Sequence, residues 1–198
     1  EIAYYLIASG AKKGDHIAVT GKNSPEWALA YFAISFAGCI IVPLDYSLHI
    51  EDMEKILAFG DVDRIFIDGE KIDEIDKEGK LFKEKISLEP ESKGYKYVLD
   101  LTGPETELPK LHAEDTAAML FTSGTTGTPK GVMLSFSNFM SSTLSSQRLF
   151  DVYPTDVFYA ILPIHHAYTM TAVLLETVVS GASCVIGKRL VTPIMLKE

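Results

Sequence analysis

Cysteine is scarce in this chain, with two residues in 198, Cys39 and Cys184. Each sits in an apolar setting (AGCIIV and ASCVIG) and reads as a small buried residue of a reducing compartment, and nothing calls for a disulfide between them. Basic residues are outnumbered, 18 Lys+Arg against 27 Asp+Glu, for a formal net charge of −9. That balance argues against a nucleic-acid partner, which would select a basic face. An anionic ligand must therefore be met locally. No apolar run approaches the ~20 residues that span a bilayer, and no charged-then-apolar leader opens the chain. The expectation is a cytoplasmic protein without a transmembrane segment, with peripheral contact at a membrane left open. Glu1 stands where Met would, and the chain closes at Leu196-Lys197-Glu198 just after Thr192-Pro193, a helix start, so both ends read as cut.

What is present is ordinary globular material. At 47% hydrophobic and 23% charged, the chain is neither disordered nor fibrous and can bury a sizeable core. Residues 10–20 (GAKKGDHIAVT) read as a helix end, a charged turn and a β-branched strand. Ser24 is placed as an N-cap, Pro25 as the first helical residue and Glu26 as a favourable charge at the helix start. That helix should run to about Phe36, stopped by Gly38, and being apolar nearly all round it should be buried on more than one side. A strand over Ile40 to Pro43, a helix over Ser47 to Phe59 and a strand over Arg64 to Asp68 follow. Strand alternating with helix is the rhythm of an α/β fold, a largely parallel sheet flanked by helices.

Residues 70–96 carry dense mixed charge with little periodicity and read as a solvated excursion or poorly ordered connection. The chain thus divides into a first α/β portion (1–69), a charged excursion and linker (70–112) and a third portion (113–198). In the last, strands are expected over 115–122 and 131–134, a helix capped near Ser137-Asn138 and running to about Leu149, a strand over 157–162, a helix over 168–179 and a strand over 183–186. No internal repeat is present.

Between the first two of those strands lies LFTSGTTGTPKGVML, an apolar stretch interrupted from Thr122 to Gly131. Glycines there let backbone N–H groups approach an anion, small hydroxyls add donors and Lys130 adds a point charge, the composition of a polyphosphate-holding loop. It is not a Walker loop, because its lysine precedes a glycine where that pattern has Ser or Thr. A serine-hydrolase elbow would need glycine where Phe121 stands. Phe121 to Gly131 resembles the signature phosphate loop of the adenylate-forming superfamily, [YF]-T-S-G-[ST]-T-G-x-P-K-G, and matches it at every position. The segment GAKKGDHIAVTGKNSPEWALAYFAISFAGCIIVPLD also resembles the early part of that superfamily's large N-terminal domain.

A second motif, Leu162-Pro163-Ile164-His165-His166-Ala167-Tyr168, ends a strand and begins a helix, where side chains face a crevice. Read alone, neighbouring histidines are most often structural. They do not share a helix face as metal-binding i, i+4 histidines do, so no metal-ligating residues are assigned. The segment resembles the superfamily's Leu-Pro-x-x-His stretch beside the acyl pocket, which implies substrate-binding roles for His166 and Tyr168. Thr169 replaces a glycine often found there, and Ser135-Phe136 replaces a common Thr-His.

The resemblance implies an ATP-dependent acyl-CoA synthetase, leaning towards the long-chain fatty acyl group. A carboxylate would attack the α-phosphorus of ATP, and a thiol, commonly that of CoA, would then take the acyl group. Thr122, Ser123, Gly124, Thr125, Thr126, Gly127 and Lys130 would hold the nucleotide phosphates, with Lys130 and Thr126 as catalytic residues and Mg²⁺ bridging phosphate oxygens. The adenine, ribose and C-terminal lysine segments of the family and its lid domain are missing, so the 198 residues alone should lack ligase activity. The alternatives are an adenylation domain for another acid or a carrier protein, and a non-catalytic nucleotide-binding module.

Overall fold

The computed structural model describes residues 1–122 and 130–188. Helix α1 (Ile2–Ala8) leads to strand β1 (His16–Thr20), α2 (Pro25–Phe36), β2 (Ile40–Pro43), α3 (Ile50–Phe59) and β3 (Val62–Ile67). A short helix α4 (Gly69–Ile72) and two strands, β4 (Glu84–Ser87) and β5 (Lys96–Tyr97), come next. Strands β6 (Thr116–Thr122) and β7 (Lys130–Ser135) precede α5 (Phe136–Leu149) and β8 (Val157–Ala160). The last helical segment opens as α6 (Ala167–Thr169), passes through π-helical turns at Met170–Leu175 and ends as α7 (Glu176–Ser180) before β9 (Ser183–Ile186).

Among the described residues seven strands form one sheet in the order β5-β4-β3-β1-β2-β6-β7, and β8 pairs with β9 in a second. Every neighbouring pair is parallel except β6 with β7. The central strands are buried on both faces, as continuous β-branched runs require. Ile17 and Val19 of β1 face one core with Ile41 and Phe66, while Ala18 faces the other with Val42, Ile65 and Ile67. Helix α2 covers the first face through Trp27, Ala30, Tyr31 and Ile34, and α3 covers the second through Met53 and Leu57. The expected largely parallel α/β sheet is what forms.

Local chemistry explains where these elements start and stop. The Ser24 hydroxyl accepts from the Trp27 backbone N–H at 3.1 Å, with Pro25 in the first turn, so α2 begins where the sequence places it. Its burial is less complete than its composition suggests, since Leu29 and Phe36 remain 45% and 55% exposed. Helix α5 is capped by Ser135, with Asn138 completing a reciprocal capping box, rather than near Ser137 as expected. Tyr97 is the second and last residue of β5, and a 3₁₀ turn at Val98–Asp100 follows it.

Residues 70–96 correct the reading of a solvated excursion. Strand β4 pairs in parallel with β3, and Ile72, Ile75, Ile86 and Leu88 are buried. The Asp76 carboxylate accepts backbone N–H groups of Lys80, Leu81 and Phe82 at 2.8, 3.1 and 3.1 Å, which orders the turn before β4. Four isolated apolar side chains among lysines and glutamates carry too short a pattern to be read as a strand.

Substituting Leu57, fully buried under the sheet, by alanine should cost about 3 kcal/mol. Ser24→Ala should cost about 1 kcal/mol through the lost cap. Urea unfolding followed through the fluorescence of Trp27, the single tryptophan and itself fully buried, measures both.

Candidate functional site

Strands β1, β2, β3 and β6 run parallel, so their carboxyl ends open on one edge of the sheet. The chain leaves β2 towards β3 on one side and leaves β6 towards β7 on the other, so the gap between β2 and β6 is a topological switch point. Open parallel sheets bind ligands in such crevices. Thr122 is the last residue of β6 and is in register with Lys130, the first of β7. Both are exposed. The two ends of the glycine-rich loop are thereby clamped by an antiparallel ladder at the switch point. Ser123, Gly124, Thr125, Thr126 and Gly127 lie outside the described residues.

The hairpin is held rigidly behind its tip. Phe121 packs edge-to-face on Phe59 at the end of α3, with ring centroids 6.2 Å apart. Gly131, opposite Phe121, lies so near Met119 that a Cβ would sit 3.0 Å from its sulfur, so a larger residue would require the Met119 side chain to shift.

The second motif arrives from β8. His166 caps the helical segment 167–180, its carbonyl accepting from Met170 N–H at 3.0 Å. His166 and Tyr168 are both exposed, Tyr168 by 69%. The side chain of His165 is only 10% exposed, with its ring 4.3 Å from that of His166. Thr169, standing where the family often has glycine, is buried. The motifs meet through α5, which leaves β7 and packs on the π-helical turns after His166.

Asn23, which no motif singled out, ties this segment to β1. Its side-chain amide donates to Leu162 O at 2.9 Å and its oxygen accepts from Ile164 N–H at 2.9 Å. Only its place in the turn after β1 and before the Ser24 cap hinted at a role. Beside it, Gly21, Lys22, Asn23, Asp45, Tyr46 and His165 line a cleft of about 210 Å³. Lys22 N–H donates to Asp68 at 2.9 Å, closing the neighbouring gap between β1 and β3. Burial pushes the Asp68 carboxyl up to about 6, with Glu89 adding to the rise and the Lys22 bond opposing it.

His165 Nε2 lies 3.8 Å from Asp45 Oδ1, beyond hydrogen-bond reach, and makes no hydrogen bond among the described residues. Burial, reinforced by His166, holds its pKa down to about 4 against the pull of Asp45. The ring is neutral at pH 7, and the Asp45 contact is not an ion pair there. Asp45 stays below the usual carboxylate range despite its own burial, because Ser47 hydrogen-bonds to it.

The comparisons fit this geometry. The sequence profile of the AMP-binding enzyme family matches residues 1–197. The chain belongs to that family. It is 29% identical to 4-coumarate–CoA ligase CCL1 of Humulus lupulus, over 96% of this chain and 36% of that protein. To the long-chain-fatty-acid–CoA ligase of Bacillus subtilis (strain 168) it is 28% identical, over 88% of this chain and 37% of the relative. Its fold superposes on ATP-bound MatB from Rhodopseudomonas palustris with a TM-score of 0.84 and 26% identity, covering 99% of this chain and 39% of that one. The chain therefore spans little more than a third of the length of these relatives.

A histidine kept neutral by folding destabilises the native state in acid. Below its ordinary pKa of 6.5 the unfolded chain takes up a proton that the folded chain refuses until about pH 4. Replacing His165 by Phe should therefore remove roughly 2 kcal/mol of the stability lost between pH 6.5 and 4. Urea midpoints of both proteins across that range check it, and imidazole NMR should show His165 neutral at pH 5.

Proposed function

We propose that this chain is the first part of an ATP-dependent acid–thiol ligase that activates a carboxylic acid as its adenylate and passes the acyl group to CoA. The observation that carries the reading is the pairing of Thr122 with Lys130 at the switch point, bracketing a loop whose sequence matches the family's phosphate pattern throughout. In this reading Lys130 supplies positive charge to the phosphates as pyrophosphate leaves, and the hydroxyl of Thr122 donates to phosphate oxygen. The loop residues Ser123, Gly124, Thr125, Thr126 and Gly127 add backbone and hydroxyl donors. Preorganised donors of this kind stabilise charge as it develops without reorganising water.

His166 and Tyr168, exposed at the start of the helical segment, take the acid side, His166 through its imidazole and Tyr168 as an aromatic wall. Attack by the carboxylate oxygen on the α-phosphorus forms the acyl–phosphate bond and breaks the bond to pyrophosphate. The thiol sulfur then attacks the acyl carbon and releases AMP. Both steps need chiefly positioning and charge neutralisation. Mg²⁺ belongs to the reading as the companion of the nucleotide. Among the described residues no three His, Cys, Asp or Glu side chains converge as metal ligands, so no step is assigned to the ion.

The preferred acid is a long-chain fatty acid, supported by the likeness of LPIHHAYTMT and NSPEWALAYFAI to that group. Relatives named for coumarate and for long-chain fatty acids match equally well, so the acid is the finer part of the proposal. Among the described residues no helix is long and apolar enough to cross a membrane. A cytoplasmic enzyme with peripheral access to lipid suits such a substrate.

In the full-length polypeptide, ATP-dependent acyl-CoA formation should appear with acids of long chain and fall by about 10- to 100-fold in Lys130→Ala. Adenylate formed only with amino or aryl acids would transfer the protein to another branch of the family, and pyrophosphate release by the 198 residues alone would overturn the need for a downstream half.

A further inference from the structure

The segment from Leu162 to His166 lies between β8 and α6 and belongs to neither, yet it carries both histidines. Within the segment His166 N–H donates to Pro163 O at 3.2 Å, and just before it Ile161 N–H donates to Tyr159 O at 3.1 Å. The groups between, Leu162 O and Ile164 N–H, face a residue about 140 positions earlier in the chain, Asn23. Its amide nitrogen donates to Leu162 O at 2.9 Å and, more weakly, to Ala160 O at 3.4 Å, while its oxygen accepts from Ile164 N–H at 2.9 Å. The partners fix the orientation of the amide, since a carbonyl can only accept and an N–H can only donate.

A carboxamide offers one donor edge and one acceptor in a plane, the same pair that a peptide group offers. Asn23 thus serves the segment as a neighbouring strand would, and it does so while 92% buried from solvent, where an unmet backbone group is costly. Its own backbone is held one residue before the α2 cap, and Trp27 anchors that helix in the core. Aspartate has no donor for Leu162 O, and alanine has neither group.

We propose that Asn23 is a positioning residue for acid activation: by clamping Leu162 O and Ile164 N–H it holds His166 where the carboxylate must be met. The proposal rests on the reading of the chain as an acid-activating enzyme. Asn23 touches no substrate; it acts through the backbone that carries His166. Loss of the clamp displaces the acid relative to the nucleotide and leaves phosphate binding at the hairpin intact. The signature is a fall in kcat with the KM for ATP unchanged.

The test uses the full-length enzyme and acid-dependent exchange between ATP and pyrophosphate in the wild type, Asn23→Ala, Asn23→Asp and Ser24→Ala. Ser24→Ala disturbs the same turn without touching the clamp and should keep kcat within about twofold. Both Asn23 variants should lose about 10- to 100-fold in kcat, as a misplacement near 1 Å does, with the KM for ATP within about twofold. Hydrogen exchange in a peptide spanning 160–166 should quicken in both Asn23 variants and stay slow in Ser24→Ala. Unchanged exchange in that peptide, an equal loss in Ser24→Ala, or a KM for ATP that rises in step with the fall in kcat would each overturn the proposal. A wild type that exchanges pyrophosphate with no acid would overturn the acid-activation reading and this proposal with it, and that result is visible before any variant is measured.

Discussion

Burial of β1 and β2 on both faces is the constraint from which the rest of the molecule follows. A strand with no solvent face needs a helix layer on each side, and parallel neighbours need crossovers long enough to contain those helices. Helix α2 meets one requirement and α3 the other. Because the crossovers return each strand in the same direction, all the parallel carboxyl ends gather on one edge. The glycine-rich loop, the Asp45 turn and the Asn23 turn are consequences of that gathering. Among the described strands of this sheet β7 alone runs the other way, antiparallel to β6.

Charge has to be handled locally around this edge. With a net charge of −9 the chain as a whole would repel the polyphosphate of the proposed reading, and attraction would have to come from groups within a few ångströms. Several lysines are already committed: Lys22 to Glu70 at 2.6 Å, Lys13 to Asp115 at 2.6 Å and Lys71 to the carbonyls of the Tyr46 turn. Lys130 is exposed at the first position of β7, where in the proposed reading a cation would meet phosphate. His165, buried and neutral, adds no positive charge to the cleft at pH 7.

Features with a strong local cause were legible in the sequence. The cap and proline at Ser24-Pro25 set the start of α2, and β-branched runs set β1 and β2. What escaped were features made by distance. Strand β4 exists because β3 offers it a ladder, and its own four residues, Glu84–Ser87, could not announce that. Asn23 looked like one more turn residue, since its partners are some 140 positions away. The family resemblance singled out His166, but nothing local told the two adjacent histidines apart, and it is packing that buries the side chain of His165 and leaves His166 exposed.

The amide of Asn23 grips only main-chain atoms. Leu162, Ile164 and His165 contribute none of their side chains to that grip, so the identity of those residues can drift without loosening it. In the proposed reading placement and selectivity are thereby separable heritable traits: mutation could remodel which acid the crevice accepts while the segment that presents it keeps its station. A scaffold wired in this way is open to diversification by substitution alone, with no insertion or change of topology.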